Sequence, residues 1–77
     1  MINLTIANVE EVLFHGEASS VTLPGSEGEM TILPKHMPLV SALKEGVIVV
    51  KNNENVSNFK IEKGVIKVSL EEVLILV

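Results

Sequence analysis

Seventy-seven residues, 47% hydrophobic, with a formal net charge of -4 and no cysteine, specify one small globular domain in which neither a disulfide nor a Cys-bearing metal knot is available. Two phenylalanines, no Trp or Tyr, and six basic against ten acidic residues exclude the basic, aromatic-lined groove that single-stranded nucleic acid requires. No charged-then-apolar signal segment opens the chain and no apolar run nears the roughly 20 residues that span a bilayer, so a cytoplasmic protein without bilayer insertion is expected.

From Ile2 to Ala7 apolar and polar residues alternate, the pattern of a half-buried strand. Val12-Leu13-Phe14 is expected to be a short strand stopped by His15-Gly16. Another is expected through Val21 and Leu23. A helix over Val9 to Phe14 would be too short to stand alone. Pro24-Gly25 has the composition of a turn, with Gly supplying positive φ, and Ser26, Glu27 and Gly28 would form an exposed tip. Met30 and Ile32 resume the alternation until Pro34, and Pro38 closes a loop holding Lys35, His36 and Met37. Prolines push the residues before them to extended conformations, so Leu33 and Met37 are expected to be β-like. Pro38 to Leu43 is expected to be a strand.

Val47 to Val50 follows Gly46 and is apolar on both faces. A polar hairpin tip around Asn52-Asn53 leads to alternation at Phe59 and Ile61, and Lys63-Gly64 turns the chain again. Ile66, Val68 and Leu70 would form the next inward row, with a turn at Glu71-Glu72 before the apolar run Val73 to Val77. The fold class is therefore all-β: a flattened barrel or sandwich of about 8 to 10 short, mostly antiparallel strands in two sheets, over a single domain, residues 1–77. The runs Val47 to Val50 and Val73 to Val77 either sit centrally in the core or have an outer face that another protein covers. A chain this small buries only about 60% of its unfolded surface, so stabilisation by a partner subunit would be unsurprising.

Catalytic chemistry finds little to work with. Ser26 lies in Gly-Ser-Glu-Gly, which is not the strained Gly-x-Ser-x-Gly elbow that exposes a nucleophile. His15 and His36 lack a paired metal-ligand spacing. Glu27 and Glu29, two apart in an open loop, suit a solvated recognition patch better than acid and base. No catalytic residue, metal or cofactor is expected.

Leu23 to Leu43 carries more information than any other stretch. Leu-Pro-Gly-Ser-Glu-Gly-Glu-x-x-Ile-Leu-Pro-x-His-x-Pro-Leu-Val-Ser-Ala-Leu resembles the signature of the epsilon subunit of F-type ATP synthases. The resemblance continues upstream through Val9 to Gly16 and downstream through Gly46 to Val49 and Val73 to Leu76, and covers the family's N-terminal β-sandwich domain. Members typically continue into a C-terminal helical hairpin that restrains ATP hydrolysis, and that domain is expected to be absent here. Thr31, Lys35 and Met37 stand where Gly, Gly and Ala are common, Glu45 where Pro is common, and Glu62-Lys63-Gly64 replaces a Ser-Gly-Gly type of turn. A side chain at a position needing positive φ is strained, so Lys35 bears on the shape of the Pro34 to Pro38 loop.

The resemblance implies a non-catalytic rotor subunit of the central stalk of a proton-translocating F-type ATP synthase, peripheral on the cytoplasmic side of the bacterial inner membrane. It would bind the gamma subunit and seat it on the c-ring. By motif, Glu27, Gly28 and Glu29 correspond to the loop that meets the polar loops of the c-ring, and Asn8, His36, Met37 and Ser41 to the gamma contact. In isolation the chain is expected to be a monomer or weak homodimer. The alternative is a free-standing β-domain acting as a self-associating binding module or a carrier domain. For a carrier, Lys35 is the candidate lysine, flanked by Pro34 and His36 instead of the apolar pair expected.

Overall fold

A computed structural model describes residues 1–77. Nine strands and no helix are formed: β1 (Ile2–Ala7), β2 (Val12–Ala18), β3 (Ser20–Gly25), β4 (Gly28–Ile32), β5 (Leu39–Leu43), β6 (Gly46–Asn52), β7 (Asn55–Ile61), β8 (Gly64–Val68) and β9 (Glu72–Leu76). They make one hydrogen-bonded ladder in the order β2-β1-β9-β8-β5-β3-β6-β7, with β4 on the free side of β3. The ladder curls into a sandwich whose two halves meet. Asn52 Nδ2 of β6 donates to Glu17 O of β2 at 2.7 Å, and Phe14 of β2 packs edge-on against Phe59 of β7, centroids 6.0 Å apart.

Alternation explains the interior. Ile2, Leu4 and Ile6 of β1 are buried with Ile66 and Val68 of β8 and Val73 and Ile75 of β9, and they meet Val21, Leu23, Ile48 and Val50 from the other half. Every fully buried side chain in this core is aliphatic, and none is polar. All strand pairs are antiparallel except β1 and β9, which run parallel with Asn3 opposite Glu72 and Ala7 opposite Leu76. Of the two runs expected to be apolar on both faces, Ile48, Val50, Val73 and Ile75 are buried, whereas Val47 and Leu76 are exposed on the outer face.

Several turns fall elsewhere than their composition predicts. His15-Gly16 does not stop β2, because Gly16 pairs with Leu4 and the Phe14 ring lies over the space its side chain would fill. The reversal comes instead at Ser19, whose N–H and hydroxyl both donate to Lys51 O. Pro24-Gly25 belongs to β3. Gly25 pairs with Gly28, so Ser26 and Glu27 make the turn, and positive φ falls on Gly28 at 138°. The β6–β7 turn is Asn53-Glu54, between paired Asn52 and Asn55, with Asn53 at φ 53. The last turn lies at Ser69 to Glu71, where the Ser69 hydroxyl donates to Glu72 O, so Glu72 opens β9. Val9 to Phe14 forms no helix, and Pro38 stays outside β5.

Candidate functional site

Following the ladders from strand to strand divides the connections between two ends of the sandwich. One end collects the β1–β2 link Asn8 to Glu11, the tip Ser26-Glu27, the Lys44-Glu45 and Glu62-Lys63 turns, and Val77. The other collects Ser19, the long β4–β5 loop from Leu33 to Pro38, the Asn53-Glu54 turn and the Ser69 to Glu71 turn.

The first end is acidic and braced. Glu27 and Glu29 are exposed on the hairpin tip, with Glu10, Glu11, Glu45 and Glu62 on neighbouring connections. Ser26 N donates to Ala42 O at 3.0 Å and Lys44 N to Pro24 O at 2.9 Å, which ties the β3 side of the tip to β5 and the connection after it. A side chain at Gly25 would meet Gly28 O and Met30 Cε at 2.6 Å each, so only glycine lets the hairpin close over Met30. Two carboxylates are thus presented on backbone that is anchored, in solvent, where opposite charge on a partner can reach them.

At this same end Asn8 has a structural task. Its Oδ1 accepts from Glu10 N and Glu11 N, both at 2.8 Å, and its N–H donates to Glu11 O at 2.9 Å. The amide oxygen closes the β1–β2 link, an Asx-type turn.

The second end holds exposed apolar side chains among the charged Lys35, Glu54 and Glu71. Met37 is 80% exposed and Leu70 73%, and Leu33 and Leu39 are exposed beside them. His36 is half-buried in the same loop, with Nδ1 buried and unpartnered. Lys35 has φ 65, so this loop holds a side chain in a conformation that favours glycine. Ser41 lies apart, on the core-facing side of β5 opposite Ile66, half-buried, its hydroxyl donating to Ala42 O at 3.2 Å. Of the four residues assigned by motif to a gamma contact, only His36 and Met37 are neighbours. Asn8 is at the opposite end.

Between the ends, the outer face of β5, β8, β9, β1 and β2 carries a feature that spacing alone did not reveal. Ala42, Val65, Leu76, Ala7 and Val12 are direct cross-strand neighbours in one row, and Val65, Leu76 and Val12 are exposed. Val40, 68% exposed, opens the adjacent row and is followed by Lys67 and Leu74. The clue in the sequence was that Val40 and Val65 sit out of phase with buried Leu43 and Ile66. Knowing that they join one row requires the sheet order. No three His, Cys, Asp or Glu side chains gather where they could hold a metal ion.

A polar-free core, an acidic anchored tip, an apolar loop and an apolar outer row define a β-sandwich interaction domain. The profile of the ATP synthase Delta/Epsilon chain beta-sandwich domain matches residues 1–77, and the chain belongs to that family. The ATP synthase epsilon chain of Leptospira borgpetersenii is 40% identical over 75 residues, covering 97% of this chain and 59% of the relative. That of Xanthomonas oryzae pv. oryzae is 42% identical over 77 residues, covering 99% and 55%. This chain therefore spans between half and two thirds of the length of these relatives. Among solved structures, a chain of the Euglena gracilis mitochondrial ATP synthase, determined as an OSCP/F1/c-ring assembly, superposes with a TM-score of 0.90 at 27% identity, covering 97% of this chain and 49% of that one. A chain of the Tetrahymena thermophila ATP synthase central stalk and c-ring shares the fold, with a TM-score of 0.81 at 20% identity. No helix is long and apolar enough to cross a membrane.

Proposed function

We propose that this protein is a non-catalytic subunit of the central stalk of a proton-translocating F-type ATP synthase, peripheral to the membrane on its cytoplasmic side, which binds the gamma subunit and seats it on the c-ring. The observation that carries the reading is the placing of two kinds of surface on one continuous sheet: the two carboxylates of an anchored tip at one end, uncovered aliphatic surface along the side and at the other end. A rotor coupling needs both kinds of surface, joined by something that does not bend. Backbone hydrogen bonds run without a break from β2 to β7, so load applied at the tip is carried by the ladder.

Glu27, Gly28 and Glu29 would meet the polar loops of the c-ring. Each exposed ion pair there gives about 0 to 1 kcal/mol, so this contact sets position more than affinity. Gamma would lie along the side of the sandwich, from Asn8 at the acidic end, past Val40, Val65 and Leu76, to His36 and Met37, with Ser41 behind Val40 and Ala42 on the core-facing side of the same strand. Fully desolvated aliphatic contacts there supply most of the binding. In this arrangement Asn8 shapes the backbone that gamma meets, because its side-chain oxygen is already engaged.

The test is co-purification with gamma, followed by Met37→Glu and the double change Glu27→Ala with Glu29→Ala. Met37→Glu is expected to weaken gamma binding by at least about tenfold, the cost of burying an unpaired charge. The double change is expected to leave gamma binding intact and to reduce proton-coupled ATP synthesis in membranes. Unchanged synthesis would refute the c-ring assignment, and full gamma binding by Met37→Glu would refute the gamma face.

A further inference from the structure

Two neighbouring residues in the β4–β5 loop are each held in an unfavourable state. Lys35 at φ 65 places its Cβ against the backbone in the region that glycine occupies freely. His36 buries Nδ1 without a hydrogen-bond partner, although the ring as a whole is only half-buried. A strained backbone and an orphaned polar atom each raise the free energy of the conformation that contains them. Here they are adjacent, in a segment whose two ends are fixed by the ladders of β4 up to Ile32 and β5 from Leu39, and stiffened by Pro34 and Pro38. The flanks determine the loop, and Lys35 and His36 absorb the misfit.

We propose that this loop is a recognition element with two conformations, and that docking releases the misfit. In the docked form Lys35 leaves the left-handed region, and His36 Nδ1 accepts a hydrogen bond from a donor on the docked surface. The Met37 side chain, next in sequence and largely exposed, enters an apolar pocket beside that donor. With the ring proton on Nε2, Nδ1 is an acceptor, so the partner group is an N–H or O–H. The inference rests on the gamma-docking reading and adds to it the identity of the recognising atom and the source of part of the binding energy.

The experiment measures gamma affinity and urea stability of the free chain in parallel. Asparagine at position 36 puts an oxygen acceptor near the place of Nδ1, whereas glutamine puts its polar group near Nε2. His36→Ala and His36→Gln are expected to lose about tenfold in affinity, with the free chain as stable as before or more so, while His36→Asn stays within about threefold. Lys35→Gly is expected to raise the urea midpoint of the free chain and weaken gamma binding by about fivefold, because strain relieved before docking is no longer gained by docking. The inference is overturned if the chain binds gamma and His36→Ala binds equally well, or if Lys35→Gly binds as well as the unaltered chain. Failure of the unaltered chain to bind gamma overturns the proposed function instead, and the inference with it.

Discussion

The two ends of the sandwich solve the problem of reversing the chain in opposite ways. At the acidic end Gly25 pairs with Gly28, glycine occupies the positive φ, and backbone bonds from Ser26 and Lys44 lock the tip to β5. At the apolar end six residues connect β4 to β5, a lysine occupies the positive φ, and a histidine nitrogen is buried without a partner. The first end is relaxed and the second is strained. In the proposed rotor the relaxed end meets a ring whose contacts are weak and polar, where rigidity matters most. The strained end meets a surface that can supply what the loop lacks.

Substituting the glycines and the lysine tests the contrast directly. Gly25→Ala is expected to have the largest effect, a loss of about 2 to 3 kcal/mol in urea unfolding, because its Cβ would stand 2.6 Å from Gly28 O, a backbone atom that cannot give way. Gly28→Ala meets no atom within 4 Å but would hold φ at 138°, and is expected to cost about 1 to 2 kcal/mol. Their difference separates a need for space from a need for conformational freedom. Lys35→Gly is expected to stabilise the chain by about 1 kcal/mol, the opposite sign at the other end. A loss there would show that the apolar loop is as relaxed as the tip. The smallest effect belongs to Glu27→Gln with Glu29→Gln, which is expected to move stability by no more than about 0.5 kcal/mol, since both side chains are exposed. A larger change would mean that the carboxylates help to hold the tip.

Local pattern revealed the strands well and their partners poorly. Strict alternation in Ile2 to Ala7 and in Ile66 and Val68 reports which side faces inward, because a strand has a period of two wherever it lies. Turns slipped where a glycine serves a purpose other than turning. Gly16 is mid-strand under Phe14, and Gly25 makes room for Met30. Composition marks such residues as breaks, while the constraint on them comes from atoms distant in sequence. The acidic tip and the Pro34 to Pro38 loop were legible from the Leu23 to Leu43 signature, and so was the strain at Lys35. The orphaned Nδ1 of His36 was not, since burial of one atom depends on how the whole loop lies. Nor was the row from Ala42 to Val12, which exists only because β9 inserts between β8 and β1.

That insertion has a consequence for how the protein comes into being. The first strand finds its central neighbour in the last one, so a chain still emerging from the ribosome carries two unsatisfied ladder edges, on β1 and β8, until Glu72 to Leu76 arrives. Closing the loop between Asn3 and Glu72 is entropically expensive and slow relative to forming a hairpin. Until the ladder closes, those two edges are open to pairing with other strands.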